Sequence, residues 1–167
     1  MPPEIAITTS AFGADGVRTQ GQAAWLDLIA AAGASHVEIR AELFTDTPDF
    51  AALGAAIQAA GLGCVYSVPL ELWPDAGAAL SPRLPEAIAE ARLLGADTLK
   101  VSLGHYRAAV DLAPLDSMLT GDGPQLLVEN DQTAQGGRVE PLRAFIQAAR
   151  AIQLPVALTF DVGNWRW

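Results

Sequence analysis

The chain has 167 residues, 51% of them hydrophobic, and a formal net charge of −9 at pH 7. This length and composition favour one domain, residues 1–167, over disorder, and an acidic chain with ten Lys and Arg residues is a poor ligand for nucleic acid. The apolar runs are shorter than the roughly 20 residues that a membrane span needs, and no basic, apolar leader follows Met1. We expect a cytoplasmic protein without a membrane segment, in which the single Cys64 is a buried structural thiol.

Six short apolar runs of strand length recur along the chain at intervals of 27 to 35 residues. Stretches rich in Ala and Leu with helical spacing lie between them. The predicted strands begin near Ile5, His36, Gly63, Thr98, Leu126 and Val156. The predicted helices span residues 19–32, 47–60, 81–94, 114–119 and 140–152. This alternation of strands and helices predicts an α/β protein with a parallel sheet.

The ends of the predicted helices carry recognisable signals. Three helices end at Gly33, Gly61 and Gly95, each at a position where a left-handed backbone conformation is favourable for glycine. Two begin with a capping residue followed by proline, at residues 47–48 and 81–82. A strand begins within a few residues of each glycine, so the connections from helix to strand are predicted to be short.

Polar side chains are concentrated on one face of the predicted strands. Glu38 and Arg40 share one face of the second strand, and Lys100 and Ser102 share one face of the fourth. Strands between two helix layers are almost continuously apolar, whereas the interior of a barrel becomes polar at its catalytic mouth. The pattern therefore favours a (β/α) TIM-type barrel. Six strands and about five helices make it incomplete against the usual eight of each, and we expect a form truncated after strand six.

Carboxylates end two neighbouring predicted strands. Glu129 closes the fifth strand and Asp161 closes the sixth. Adjacent strands lie about 4.8 Å apart, so these carboxylates need a shared cation or proton. A divalent metal such as Mn²⁺ or Mg²⁺ would satisfy them, and so would a charge cluster with Lys100 on the preceding strand. The spacing leaves both interpretations open.

Three segments resemble the xylose isomerase-like TIM barrel superfamily, namely residues 37–44, 127–130 and 159–164. Its members include sugar isomerases, sugar-phosphate epimerases and repair enzymes of the endonuclease IV type. The resemblance implies that Glu129 and Asp161 bind a divalent metal. It also implies that Glu129 is the catalytic acid/base that moves a proton next to a carbonyl. Further ligands in the family, a His and a Glu, come from strands seven and eight. The 167 residues alone are therefore expected to bind metal weakly or not at all, and to be inactive.

The same resemblance and the predicted mouth of the barrel suggest substrate contacts. Glu38 matches a Glu inside the family's barrels, although pairing with Arg40 or Lys100 is an equal alternative. Asn164 stands where many members carry a His, and its amide can bind a sugar hydroxyl. The predicted substrate-binding residues are Glu38, Trp73, Lys100, His105, Asn130 and Asn164.

Several of these candidates have ordinary structural alternatives. Trp73 either stacks on a sugar ring or caps the hydrophobic mouth. His105 is a substrate contact or an ordinary loop histidine, and Glu42 is a site residue or a solvated carboxylate. Trp165 and Trp167 are site residues or surface exposed by the truncation.

The sequence as a whole predicts an isomerase or epimerase that acts on a small sugar or hydroxy-carbonyl compound in the full-length parent. The first alternative is a non-catalytic remnant or binding scaffold. The second is a metal-dependent phosphodiester hydrolase of the endonuclease IV type, which two His residues and a charge of −9 disfavour.

An incomplete barrel of six strands would expose two sheet edges, which other chains can pair with. We therefore expect a homo-oligomer that covers these edges. Light scattering of the purified protein checks the mass, and a clean monomer would contradict this expectation.

Overall fold

The computed structural model describes residues 4–77, 79–121 and 123–164. In these residues six strands form a single sheet, and each begins within one residue of its predicted start. All five neighbouring pairs are parallel, and the strands lie in the sheet in chain order. The strands are β1 (Ala6–Thr8), β2 (His36–Arg40), β3 (Gly63–Trp73), β4 (Thr98–Gly104), β5 (Gln125–Glu129) and β6 (Val156–Thr159).

Helices connect the strands in the described residues. They are α1 (Ala14–Gln20), α2 (Leu26–Ala31), α3 (Phe50–Ala59), α4 (Leu84–Leu94), α5 (Ala113–Leu119) and α6 (Val139–Ala151). Short 3₁₀ turns occur at Thr9–Phe12, Gln22–Trp25 and Ala41–Leu43. None of the described helices is both long enough and apolar enough to cross a bilayer.

The two faces of the sheet differ in burial. Right-handed connections between sequential parallel strands put all the helices on one face. The side chains on that face are at most 2% exposed in the central strands: Val37, Ile39, Leu99, Val101, Leu126 and Val128. The opposite, inward face carries polar and half-buried side chains such as Glu38 and Glu129. The architecture is a curled, incomplete TIM-type barrel, as the sequence predicts.

The prediction of one helix over residues 19–32 is wrong. Helix α1 ends at Gly21, because its φ of 80° and ψ of 155° are not helical. A 3₁₀ turn follows, and the next α-helix begins only at Leu26. The break places the side chain of Gln22, which is 3% exposed, against the ends of β1 and β2. Its amide accepts from the backbone N–H of Arg40 and donates to the Arg40 carbonyl, both at 2.9 Å. These hydrogen bonds compensate for the interrupted helix.

Two predicted helix starts are also displaced. Helix α3 is capped by Asp49, whose carboxylate accepts from the Ala52 N–H at 2.9 Å, so Thr47 and Pro48 precede the helix. Helix α4 begins at Leu84, whose N–H donates to the Ser81 carbonyl at 3.1 Å in the preceding turn. The predicted helix ends are confirmed, because the three glycines have φ values of 83°, 72° and 62° at residues 33, 61 and 95.

The thiol of Cys64 is buried on the helix-facing side of β3. Burial, with a smaller contribution from the nearby carboxylate of Asp97, raises its pKa to about 12. A thiol with so high a pKa carries almost no thiolate at neutral pH, which agrees with the structural role predicted from the sequence.

Helices α3 and α4 make a close contact through Gly54. A Cβ added there would lie 2.6 Å from the Leu94 carbonyl oxygen and 2.9 Å from its carbonyl carbon. These are backbone atoms, so the clash can be relieved only by moving one helix away from the other.

We therefore predict that Gly54→Ala lowers the free energy of unfolding by about 1–3 kcal/mol, because overpacking outweighs the higher helix propensity of alanine. The matched control is Gly16→Ala in α1, where the added Cβ would have Trp25 as its nearest neighbour at 4.0 Å. This control should be neutral or should stabilise by up to about 1 kcal/mol. Urea denaturation measures both, and equal effects would contradict the packing argument.

Candidate active site

Ion pairs link the inward faces of β2, β4 and β5. The ammonium of Lys100 lies 3.0 Å from both carboxylate oxygens of Glu38 and 3.2 Å from Oε1 of Glu129. The guanidinium of Arg40 donates to Glu38 at 3.0 Å and also binds Glu42. We refer to Glu38, Arg40, Glu42, Lys100 and Glu129 as the charged cluster.

The register of the sheet brings the members of this cluster together. Lys100 pairs with Ser67 of β3 on one side, and Ser67 pairs with Arg40 of β2. Glu38 lies one inward position earlier, opposite Val65, and its carboxylate reaches across β3 to Lys100. On the other side, Ser102 pairs with Glu129, so Glu129 lies one inward position beyond Lys100. The cluster therefore spans four neighbouring strands toward the C-terminal end of the sheet, where TIM barrels place their active sites.

Burial makes the pairing in this cluster energetically important. The side chains of Lys100, Glu38 and Glu129 are only 9%, 14% and 23% exposed. A charge removed from water to this extent destabilises the fold unless an opposite charge compensates it. Burial by itself lowers the pKa of Arg40, but hydrogen bonds and charges from Glu42 and Glu38 outweigh this effect and raise it. Three carboxylates against two cations leave the cluster with one net negative charge.

Both pairings named as the structural alternative for Glu38 are present, because it contacts Arg40 and Lys100. Likewise Glu129 is paired with Lys100, the arrangement that the charge-cluster interpretation requires. Substrate binding by Glu38 and Lys100 stays a prediction.

A second group of polar side chains joins the ends of β5 and β6. The side chain of Asn130 is fully buried, and within the described part of the chain it hydrogen-bonds backbone atoms of residue 161. Its Oδ1 accepts from the Asp161 N–H at 2.7 Å, and its Nδ2 donates to the Asp161 carbonyl at 2.8 Å. We call this pair of hydrogen bonds the β5–β6 clamp. Substrate contact by Asn130 stays a prediction, but its amide is already occupied.

The carboxylate of Asp161 has its own partners. It accepts from the Gly163 N–H at 2.7 Å and from the Asn164 amide at 2.8 Å. The amide of Asn164 also donates to the Asn130 carbonyl at 3.3 Å, and its Oδ1 accepts from Gln132 at 2.9 Å. Asn164 therefore lies next to Asp161, where the sequence predicts it, with both ends of its amide hydrogen-bonded.

The predicted metal ligands do not converge as a complete metal centre. Glu129 pairs with Thr159 across the sheet, so Asp161 lies two residues beyond the position opposite Glu129. Oxygens of both carboxylates already accept hydrogen bonds from Lys100, Gly163 or Asn164. Across residues 4–77, 79–121 and 123–164, no three His, Cys, Asp or Glu side chains group to hold a metal. The described donor set does not fit a divalent metal by itself, and the ligand roles stay predictions.

Trp73 and His105 lie at the C-terminal ends of β3 and β4. The indole of Trp73 is fully buried, with its ring centroid 4.9 Å from that of Tyr106 and 5.6 Å from that of Phe145. Stacking on a sugar would require this aromatic cluster to open. His105 borders a cavity of about 330 Å³, and its Nε2 is hydrogen-bonded to the Gln135 amide at 3.1 Å. Substrate contact by either residue stays a prediction.

Several residues near the site were not predicted from the sequence. Glu71 of β3 pairs in register with Ser102, the partner of Glu129, so it lies close to the charged cluster. Its position as the single charge in an apolar run is a signal that could have identified it. Gln22 and Gln135 carry no comparable signal, because each acts through a loop whose geometry depends on the fold. The predicted candidates Trp165 and Trp167 lie outside the described residues.

Comparisons with known proteins give matches only at the level of structure. No family model matches the chain, and no curated protein matches its sequence. Among solved structures, L-ribulose 3-epimerase superposes with a TM-score of 0.71 at 23% identity, covering 94% of this chain and 60% of that chain. D-psicose 3-epimerase in the presence of D-fructose gives 0.68 at 10% identity, covering 95% and 63%. D-psicose 3-epimerase with D-tagatose from Clostridium cellulolyticum H10 gives 0.61 at 11% identity, again covering 95% and 63%.

These similarities establish the fold. The chain has part of the TIM-barrel fold of sugar 3-epimerases. Such structural neighbours are what the resemblance to xylose isomerase-like barrels led us to expect. It spans 60% to 63% of the length of these three solved chains.

The β5–β6 clamp gives a direct stability prediction. Asn130→Ala should lower the free energy of unfolding by about 1–3 kcal/mol, because it removes two hydrogen bonds made by a fully buried side chain and leaves its space empty. The control is Gln132→Ala, which removes an exposed hydrogen bond and should change stability by no more than about 0.5 kcal/mol. Urea denaturation of both variants tests this, and an equally small effect at residue 130 would show that the clamp is not stabilising.

Proposed function

We propose that this chain carries the proton-transfer part of the active site of a sugar isomerase or epimerase. The observation that supports this most directly is the carboxylate of Glu129. It lies at the C-terminal end of a barrel strand, is partly exposed on the inward face, and is paired with the ammonium of Lys100 at 3.2 Å. A carboxylate beside a fixed cation combines the base and the charge stabilisation that removal of a proton next to a carbonyl requires.

In the proposed reaction Glu129 removes the proton from the carbon next to the substrate carbonyl. The electron pair of the C–H bond moves into the carbonyl group, and negative charge develops on its oxygen. Lys100, with Arg40 behind it, stabilises that charge electrostatically. Return of the proton from Glu129 regenerates the sugar, whereas return to the opposite face would give the epimer. Return to the former carbonyl carbon would give the isomer, provided that the hydroxyl proton on the first carbon moves to the former carbonyl oxygen.

A small neutral sugar is the proposed substrate class. The structural neighbours are named for D-psicose and L-ribulose, and two were solved with D-fructose and D-tagatose, all of them uncharged ketoses. A net charge of −9 disfavours a phosphorylated substrate on electrostatic grounds. Glu38, His105 and Asn164 are proposed to bind its hydroxyl groups.

The complete activity is proposed for the whole protein and not for these residues alone. The family resemblance implies that Glu129 and Asp161 would contribute two ligands to a divalent metal site, which would require further ligands and movement of the Lys100 ammonium away from Glu129. Epimerisation also needs an acid on the opposite face of the carbon, which is not assigned among the described residues. We therefore expect residues 1–167 to exchange the proton of a sugar without forming its epimer.

A non-catalytic scaffold is the second candidate. The occupied amide of Asn130 and the fully paired ammonium of Lys100 favour it, because both side chains have structural partners in place of a ligand.

Hydrogen–deuterium exchange in D₂O tests the proposed function. D-Psicose, D-fructose and L-ribulose are incubated with the protein, and deuterium uptake at the carbon next to the carbonyl is followed by NMR. We expect uptake above the uncatalysed rate, and we expect Glu129→Gln to reduce the catalysed rate by about 10²-fold or more.

The matched control is Glu140→Gln, which alters an exposed carboxylate at the start of α6. It should retain the wild-type exchange rate. No exchange with any of the three ketoses, or equal rates for wild type and Glu129→Gln, would favour the scaffold.

A further inference from the structure

The ammonium of Lys100 lies where a cation shared by Glu38 and Glu129 would have to lie. We propose that Lys100 is the resident cation of this site and that it excludes a divalent metal from Glu129. The proposal concerns the same site as the proposed function, and its catalytic consequence rests on that function. Metal binding can nevertheless be measured without turnover.

The first argument is that every donor of this lysine is used. A lysine ammonium has three N–H donors. Nζ of Lys100 has three carboxylate oxygens within reach, both oxygens of Glu38 at 3.0 Å and Oε1 of Glu129 at 3.2 Å. The side chain is 9% exposed, so little water is available to replace these partners. Moving the ammonium away would break all three hydrogen bonds and leave a charge in a poorly solvated position.

The second argument is the competition between cations for the same oxygens. A divalent ion binds a carboxylate oxygen at about 2.0–2.6 Å. If it bound Oε1 of Glu129, it would lie within about 6 Å of the Lys100 ammonium, where like charges repel strongly in a partly buried site. The predicted second ligand, Asp161, accepts hydrogen bonds from Gly163 and Asn164 and lies two residues beyond the position opposite Glu129. A divalent ion bound to Glu129 would therefore always be repelled by the Lys100 ammonium.

The consequence of removing the ammonium follows directly. Lys100→Met keeps the length and most of the volume of the side chain but leaves Glu38 and Glu129 partly buried without their shared cation. A divalent ion is then the natural replacement, because hard cations prefer carboxylate oxygens. If the proposed proton transfer occurs, the wild-type reaction should also be insensitive to EDTA, since Lys100 supplies the positive charge.

Titration with Mn²⁺, followed by the electron paramagnetic resonance signal of the free ion, tests this inference. We expect wild type to bind Mn²⁺ weakly and Lys100→Met to bind at least about tenfold more tightly. Lys100→Arg, which retains the charge, should bind as weakly as wild type. The double variant Lys100→Met/Glu129→Gln should lose the gain, which would assign the new site to Glu129.

Equal affinities of wild type and Lys100→Met would overturn the proposal, and so would a gain that survives Glu129→Gln. Circular dichroism checks that each variant folds, and Lys100→Gln replaces Lys100→Met if the latter does not. Should neither fold, the wild-type titration decides. Saturable binding at micromolar Mn²⁺ that Glu129→Gln abolishes would contradict the proposal, and no binding up to about 1 mM would support it. Because no sugar is present, these outcomes are independent of whether the proton exchange occurs.

Discussion

The inward face of the sheet depends on the ion pairs of Lys100. This one side chain on β4 binds carboxylates from β2 and β5, so it joins strands that are not all neighbours in the sheet. A polar interior is unfavourable in a folded protein unless its charges are matched, and here the match is made by a lysine that is almost entirely buried. The helix-facing side needs no paired charges, because its apolar side chains pack under the helices. The charged cluster therefore stabilises the inward face of the sheet, and it also contains the residues to which we assign the proposed proton transfer.

The same pairing connects the fold to the question of function. Three of the structural neighbours are sugar epimerases, and they superpose on 94% to 95% of this chain. Identities of 10% to 23% carry the fold but not the identity of the reacting groups. In this chain the charge of Glu129 is balanced within the described residues by the ammonium of Lys100. The pairing of Glu129 with Lys100 either supports catalysis or only stabilises the fold. Proton exchange measures the first possibility, and metal affinity measures independently how firmly Lys100 occupies the site.

Much of the architecture could be predicted from the sequence because apolar residues recur in it at regular intervals. The spacing of the apolar runs located all six strands, and alternation along β2 and β4 identified the polar face. Local geometry was harder to predict. The break at Gly21 depends on the long-range hydrogen bonds of Gln22 to Arg40, and the cap at Asp49 competed with an equally suitable signal two residues earlier.

The candidate site could likewise be predicted only in part from the sequence. Glu38, Lys100 and Glu129 were all identified as candidates, but the sequence could not decide between a metal and a charge cluster. That choice depends on whether Lys100 reaches Glu38 across β3 as well as Glu129 on the neighbouring β5, which in turn depends on the register of the strands. The burial of Trp73 and Asn130 likewise follows from how the strand ends are covered, a property of the assembled structure and not of any local pattern.

The β5–β6 clamp has a consequence for how this barrel can change over time. Asn130 holds residue 161 entirely through main-chain atoms, which every amino acid other than proline can offer equally. The alignment of the two strand ends therefore depends more on the side chain at position 130 than on the side chain at position 161. A substitution at position 161 keeps these two hydrogen bonds, although it removes those that the Asp161 carboxylate accepts from Gly163 and Asn164. The two strand ends can thus stay joined while the polar group beside them changes.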